Sequence, residues 1–281
     1  MKIVENPSEI YSLVASSKCN GKRVGLVPTM GALHAGHLSL VEEAKRHCDI
    51  AIATIFVNPT QFGPNEDFSK YPRTLDSDLE QLERAKCDWV FVPSTMQMFP
   101  EGLSTYLEPP TVSKNWEGQI RPGHFRGVTT VVLKLFHMIP ADVAFFGRKD
   151  YQQVAVLRAM VRDLNVPIEL IACDTVREQD GLAMSSRNRY LSPTDRGRAV
   201  GLWNALQHVQ SLVREGCHDV ERLESEMRDM LLAVPVDRID YAAIVDGVTM
   251  EPLSHVLPDA VAIIAVCIGT TRLIDNLSLD V

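Results

Sequence analysis

Long apolar runs are missing from this chain of 281 residues: the longest, AVAIIAVCI at 260–268, has nine, half of the roughly 18 that a membrane span needs. The opening MKIVENPSEI also lacks the apolar core of a secretory signal, so a cytoplasmic protein with no membrane partner is expected. Positive charge is scarce, with 28 Lys and Arg against 36 Asp and Glu and a net charge of −8. That balance argues against a broad nucleic-acid surface, and any anionic ligand must be met by local cations. The six cysteines (Cys19, Cys48, Cys87, Cys173, Cys217, Cys267) form no C-x-x-C, and the nearest two lie 29 positions apart. Buried free thiols in a reducing compartment are therefore the expectation. Repeats, low-complexity tracts and a long Gly/Ser linker are absent as well.

What is present is an alternation. Short β-branched or apolar runs, RVGLVPT at 23, IAIATIFV at 50, WVFVP at 89, DVAFFG at 142 and IELIACD at 168, alternate with segments of helical period. The helical segments are HLSLVEEAKRH at 37, TLDSDLEQLERAK at 74, GVTTVVLKLFHM at 127 and YQQVAVLRAMVRDL at 151. This is the pattern of an α/β fold: a Rossmann-like, doubly wound parallel sheet with helices on both faces. Ligands in such folds gather beyond the carboxyl ends of the strands, where the loops PTMGALHAGH, NPTQFGPNEDF and FGRKDYQQ are expected. Past about residue 176 the pattern changes to two helical segments (194–214, 219–233), two strand-like runs, RIDYAAIVD and DAVAIIAVCIG, and then RLIDNLSL. The expected organisation is a first domain over 1–176 and a smaller α+β C-terminal domain over 177–281. The stretch from Met96 to Phe125, with four prolines, is the least interpretable part of the chain.

PTMGALHAGH (28–37) sets two of the eight histidines three apart between a strand and a helix. Three readings compete. A zinc site needs at least three protein ligands, and the helical zinc motif spaces its histidines four apart around a glutamate, neither of which is present. His34 and His37 could simply satisfy backbone groups at the helix start. The third reading is an anion site, because the first-turn amides and the positive end of the helix dipole face the loop. There Gly31 and Gly36 would admit a ligand close to the backbone, and the two imidazoles would donate to phosphate oxygens.

The same ten residues resemble the H-x-G-H signature of the nucleotidyltransferase superfamily. The longer run VPTMGALHAGHLSLV resembles, more narrowly, the pantoate–beta-alanine ligase family. FVNPTQFGPNEDFSKYPRT (56–74), RPGHFRGVTTVVLKLF (121–136), FFGRKDYQQ (145–153) and DGLAMSSRNRYLS (180–192) resemble that family in the same order. The resemblance implies an ATP-dependent enzyme that activates pantoate as an adenylate and passes it to beta-alanine, with Mg²⁺ on the phosphates and a homodimeric assembly.

The resemblance also places residues. His37, His34 and Lys149 would carry the chemistry, and Met30, Gly31, Ala32, Leu33, His34, Ala35, Gly36 and His37 would line the ATP site. Gly147, Arg148, Lys149 and Asp150 would bind ATP too, and a lysine at a strand's carboxyl end suits a phosphate as a compact, mobile cation. Gln61 and Gln153 would contact pantoate, and Val176 would touch the adenine. Met184, Ser185, Ser186 and Arg187 correspond to a mobile loop that closes on the triphosphate, where arginine grips phosphate oxygens in two-pronged fashion. Read without the resemblance, FGRKDYQQ is a solvated loop, NPTQFGPNEDF a plain turn and MSSR a polar connector. Asp76, Asp78 and Glu80 have a simple structural reading, since carboxylates are favoured near a helix N-terminus, while the resemblance implies that acids here can approach the magnesium or the ATP region. The chain departs from the family's pattern at Ala35, Ser77 and Arg148; Arg148 adds a charge, and Ser77, where some relatives have an acid, leaves the protein ligands for Mg²⁺ unknown. The rival functions are another nucleotidyltransferase on the same fold and a nucleotide-binding protein that has lost catalysis.

Overall fold

Six parallel strands run through the first part of the computed structural model, which describes residues 1–64 and 66–279; Asn65 of the NPTQFGPNEDF stretch and the last two positions lie outside it. In chain order the elements here are β1 (Lys2–Val4), α1 (Pro7–Cys19), β2 (Val24–Thr29), α2 (Ala35–His47), β3 (Ile50–Ile55), α3 (Leu75–Arg84) and β4 (Trp89–Phe91). They continue with α4 (Thr95–Met98), α5 (Glu117–Ile120), α6 (His124–Met138), β5 (Val143–Gly147), α7 (Tyr151–Asp163) and β6 (Glu169–Cys173). The sheet order is β1-β4-β3-β2-β5-β6, and every neighbouring pair is parallel. β2, β3 and β5 are buried almost throughout, as strands covered by helices on both faces must be. Leu33 of the turn before α2 and Leu40, Val41 and Ala44 of the helix pack with Val27, Ala53 and Phe145 of the sheet.

Two compact units divide the chain: Met1–Arg148 with Val156–Asp174 forms one, and Lys149–Ala155 with the chain from Thr175 onward forms the other. The second unit holds α8 (Pro193–Arg214), α9 (Val220–Ala233), β7 (Arg238–Asp246), β8 (Ala260–Ile268) and β9 (Thr271–Ser278). Its three strands form an antiparallel sheet in the order β7-β8-β9. Leu202, Leu206, Leu223 and Met227 of the two helices pack onto Ile244, Ile264 and Val266 of the sheet. The fold is the α/β sheet with a smaller α+β part that the alternation predicts.

Five elements in three stretches of the chain differ from the sequence expectation. β1 and α1 leave little trace in the sequence as strand and helix: β1 has three residues, and α1 buries only Ile10 and Val14. What fixes α1 is its start, where the Asn6 side chain accepts from the amides of Ser8 and Glu9 and Pro7 opens the first turn. RLIDNLSL is a third strand of the small sheet, β9, although Asp275 and Asn276 interrupt its apolar pattern. The Met96–Phe125 stretch contains α4 and α5, two single-turn helices too short to leave a periodic signal. Among the described residues no helix is long and apolar enough to cross a membrane.

Candidate active site

The sheet order reverses direction around β2, whose neighbours are β3 on one side and β5 on the other. That is the switch point at which such folds bind ligands. The turn after β2 carries Met30 to His34 over this point and feeds directly into α2. His34 is the N-cap of α2: its backbone is extended, and its Nδ1 accepts the amide of Gly36 at 3.2 Å. An Nδ1 that accepts has no proton to give, so the cap favours the neutral ring with its proton on Nε2. The His37 ring lies 4.1 Å from that of His34, centroid to centroid, tilted by 43°. Two imidazoles thus stand together at the head of one helix, with one tautomer set by the backbone. Ala35 between them is exposed and Gly36 half-buried.

The amides behind the histidines have an unexpected partner. Asp78, in the first turns of α3 and 1% exposed, accepts from the Ala32 amide at 2.9 Å and from the Leu33 amide at 2.8 Å. Thr74 Oγ1 donates to the same carboxylate at 3.1 Å. Gly31 and Ala32 have φ of 76° and 50°, a left-handed pair that turns successive N–H groups to one side. The anion in this nest is the protein's own side chain. Beyond the ligand access that the sequence reading gives it, Gly31 serves the turn and the buried carboxylate, since a Cβ there would lie 2.9 Å from Asp78 Oδ2 and 3.1 Å from Ile55 Cγ2. Sequence alone gives the acid at position 78 only a helix-start role, and the missing signal is its contact across 45 residues of chain.

Gln61, in the turn after β3, is joined to the same region: its Nε2 donates to Met30 Sδ at 2.9 Å, and its Oε1 accepts from Asn58 Nδ2 at 3.0 Å. Its carbonyl is held by the RPGHFRG stretch, accepting from His124 Nδ1 at 2.9 Å and Arg121 Nη2 at 3.3 Å. Arg121 is paired with Glu66 at 2.7 Å and Glu117 at 3.5 Å. Gly127 of α6 lets the helix approach, because a Cβ there would come within 2.3 Å of the Thr60 carbonyl oxygen. Arg121 and His124, to which the sequence reading assigns no role, thus fix the backbone of a predicted pantoate contact.

Burial, and then the Arg121 charge, push the His124 imidazole down to about 4 from its ordinary 6.5. Since the unfolded chain takes up this proton first, the stability contribution is complete above pH 6.5 and is lost as pH falls towards 4. The difference amounts to roughly 3 kcal/mol. Denaturant midpoints measured between pH 7 and 4 are expected to fall more steeply for the native protein than for His124→Asn, and parallel curves would refute the buried neutral histidine.

The remaining predicted residues divide between the units. Gly147 ends β5 beside β2, and Arg148 follows it, with its guanidinium on Asp174 at 2.8 Å. In the second unit Lys149 is half-buried, 3.8 Å from the Asp150 carboxylate, while Gln153 lies in the first turn of α7. Val176 and Met184 are brought together: the Met184 amide donates to the Val176 carbonyl at 3.0 Å, and Arg177 bridges Ala183 as in a hairpin. Ser185 caps a short 3-10 turn over Ser186–Tyr190 by accepting the Arg187 amide at 3.2 Å. The MSSR stretch is therefore a built turn, with Asn188 donating to Glu178 at 2.9 Å beyond it. Among the described residues no group of three or more His, Cys, Asp or Glu is disposed to hold a metal, and Asp78 is already committed to amides.

These features agree with what the chain is similar to. The family described as pantoate-beta-alanine ligase matches residues 2–278. The pantothenate synthetase of Koribacter versatilis is 50% identical over 280 residues, covering 100% of this chain and 96% of that protein. The crystal structure of pantothenate synthetase from Thermus thermophilus superposes with a TM-score of 0.95 at 44% identity, covering 100% of both chains. A pantoate-beta-alanine ligase from Francisella tularensis, complexed with beta-gamma ATP and beta-alanine, superposes with a TM-score of 0.80 at 34% identity over 99% of this chain and 98% of its own. A match along nearly the whole length, with H-x-G-H seated at the switch point of the sheet, places this chain in the pantoate–beta-alanine ligase family.

Proposed function

We propose that this chain condenses pantoate with beta-alanine, using ATP and forming pantoyl adenylate on the way. The single observation that carries the reading is the close pair of imidazoles of His34 and His37 at the head of α2. In the first step a pantoate carboxylate oxygen bonds to the α-phosphorus of ATP, and the bond from that phosphorus to pyrophosphate breaks. In the second the amine nitrogen of beta-alanine bonds to the acyl carbon, AMP leaves with the electron pair of the acyl–oxygen bond, and the amine's surplus proton passes to solvent. The attacking carboxylate is already an anion, so no enzyme nucleophile has to be activated. The work left to the protein is to hold the reactants together, worth up to ~7–11 kcal/mol, and to donate to phosphate oxygens as charge builds on them.

In this scheme His34 and His37 donate to the phosphates, and Lys149, Arg187, Ser185 and Ser186 receive the triphosphate. Gln61 and Gln153 hold pantoate, and Val176 adjoins the adenine. Magnesium travels on the phosphates, as it usually binds with few protein carboxylates, and the chain acts as a cytoplasmic homodimer. The decisive assay measures AMP from ATP, pantoate and beta-alanine, omitting each in turn. AMP is expected only with all three present, while pyrophosphate exchange into ATP needs pantoate alone. A nucleotidylated end product, or ATP binding without turnover, would favour the rival functions.

A further inference from the structure

The strand β9 carries two buried polar residues in succession, Asp275 at 3% and Asn276 at 8% exposure. Neighbouring residues of a strand point to opposite faces of the sheet, and here each grips a different segment of the second unit. Asp275 pairs across the ladder with Ile264 of the core. It takes both Nη atoms of Arg177, at 2.7 and 3.0 Å. The Arg177 Cζ stands over the Trp203 ring, 3.7 Å from its centroid, and the guanidinium donates to the carbonyls of Gly181 and Asn276. The strand is thereby locked on the face that bears α8. On the other face Asn276 Nδ2 donates to the carbonyl of Lys149 at 2.9 Å.

We infer that Asn276 is a positioning residue for the reaction, pinning the backbone of Lys149 so that its ammonium group is delivered to the ATP phosphates. The inference rests on the proposed role of Lys149. A lysine ammonium swings on a four-carbon stem, so its reach is set by where the stem is rooted. Lys149 is the middle residue of a one-turn 3-10 helix, Arg148–Asp150, that runs directly into α7, and the amide of Asn276 ties its carbonyl to β9. Displacements of about 1 Å at a reacting group can cost 10²-fold in rate.

The test is a double-mutant cycle read by pantoate-dependent exchange of labelled pyrophosphate into ATP. Asn276→Ala is expected to slow exchange about tenfold, the scale of one lost buried hydrogen bond, and to slow it little further in a Lys149→Ala background. Asn276→Asp, equal in shape but facing the carbonyl with an acceptor, should do the same and serves if the alanine variant is unstable. Asp240→Asn, which removes a buried carboxylate from the same sheet where it pairs Arg238 and Arg272, should lower the melting point and leave exchange unchanged. Additive losses from Asn276→Ala and Lys149→Ala, or full exchange in both Asn276 variants, would overturn the inference. Full exchange in Lys149→Ala alone would remove the lysine's assignment and the inference with it.

Discussion

His37→Ala is expected to slow pantoate-dependent pyrophosphate exchange by roughly 10² to 10³, the range for deleting one charge-stabilising donor, with a melting point close to that of the native protein. The two halves of this result have separate origins. His37 lies in the first turn of α2, but the helix is capped by His34, whose Nδ1 accepts the Gly36 amide, so removing the His37 ring leaves the cap in place. His34→Ala is the informative contrast. It takes away a phosphate donor and an N-cap together, and caps of this kind are worth ~0.5–2 kcal/mol. A smaller kinetic loss accompanied by a lower melting point is expected there, because a flanking cap can be partly replaced by water. Native exchange rates in His37→Ala would remove the histidine from the phosphate site. A melting point lowered as far as in His34→Ala would show that its part is structural.

Much of this arrangement can be read from the sequence, and the residues that cannot share one property. H-x-G-H is legible because strand, turn, glycines and helix follow one another, so the local order of residues states the geometry. The parallel sheet is legible for the same reason, since β2, β3 and β5 are unbroken apolar runs bounded by turns. Asp78, His124 and Asn276 are different. Each acts through a bond to a backbone group far away in sequence: Leu33 at 45 positions, Gln61 at 63 and Lys149 at 127. A carboxylate in the first turns of a helix looks the same in sequence whether it faces water or another loop's amides. Periodicity reports which face of an element is buried, but gives no sign of which peptide lies against it. β9 escapes on the same ground, because two polar residues spoil its alternation and its ladder to β8 is invisible in the local sequence.

Asp78→Asn is expected to lower the exchange rate at least tenfold without raising KM for ATP, and to destabilise the protein by about 2–3 kcal/mol, the cost of leaving a buried donor unmatched. The substitution preserves volume and keeps one oxygen, so a single amide of the Ala32–Leu33 pair retains its acceptor. The other then faces an NH₂ group at the 2.8–2.9 Å now spanned by an N–H···O bond, and the turn must open to relieve the clash. Two effects compete at the nucleotide. Losing a carboxylate near phosphate groups favours ATP binding, but that charge is already answered by two amides and the Thr74 hydroxyl, so the gain is small. Losing the turn geometry moves His34, which follows Leu33 directly, and donors aimed at a transition state matter more to kcat than to ground-state binding. The balance therefore predicts a kcat defect at unchanged or slightly lower KM. A raised KM with kcat intact would instead make Asp78 part of the ground-state nucleotide site, for example through magnesium. Asp78→Ala should be worse in stability, since both amides and the Thr74 hydroxyl lose their acceptor in a place that is 1% exposed. If that variant melted with the native protein, the carboxylate would not be what holds the turn.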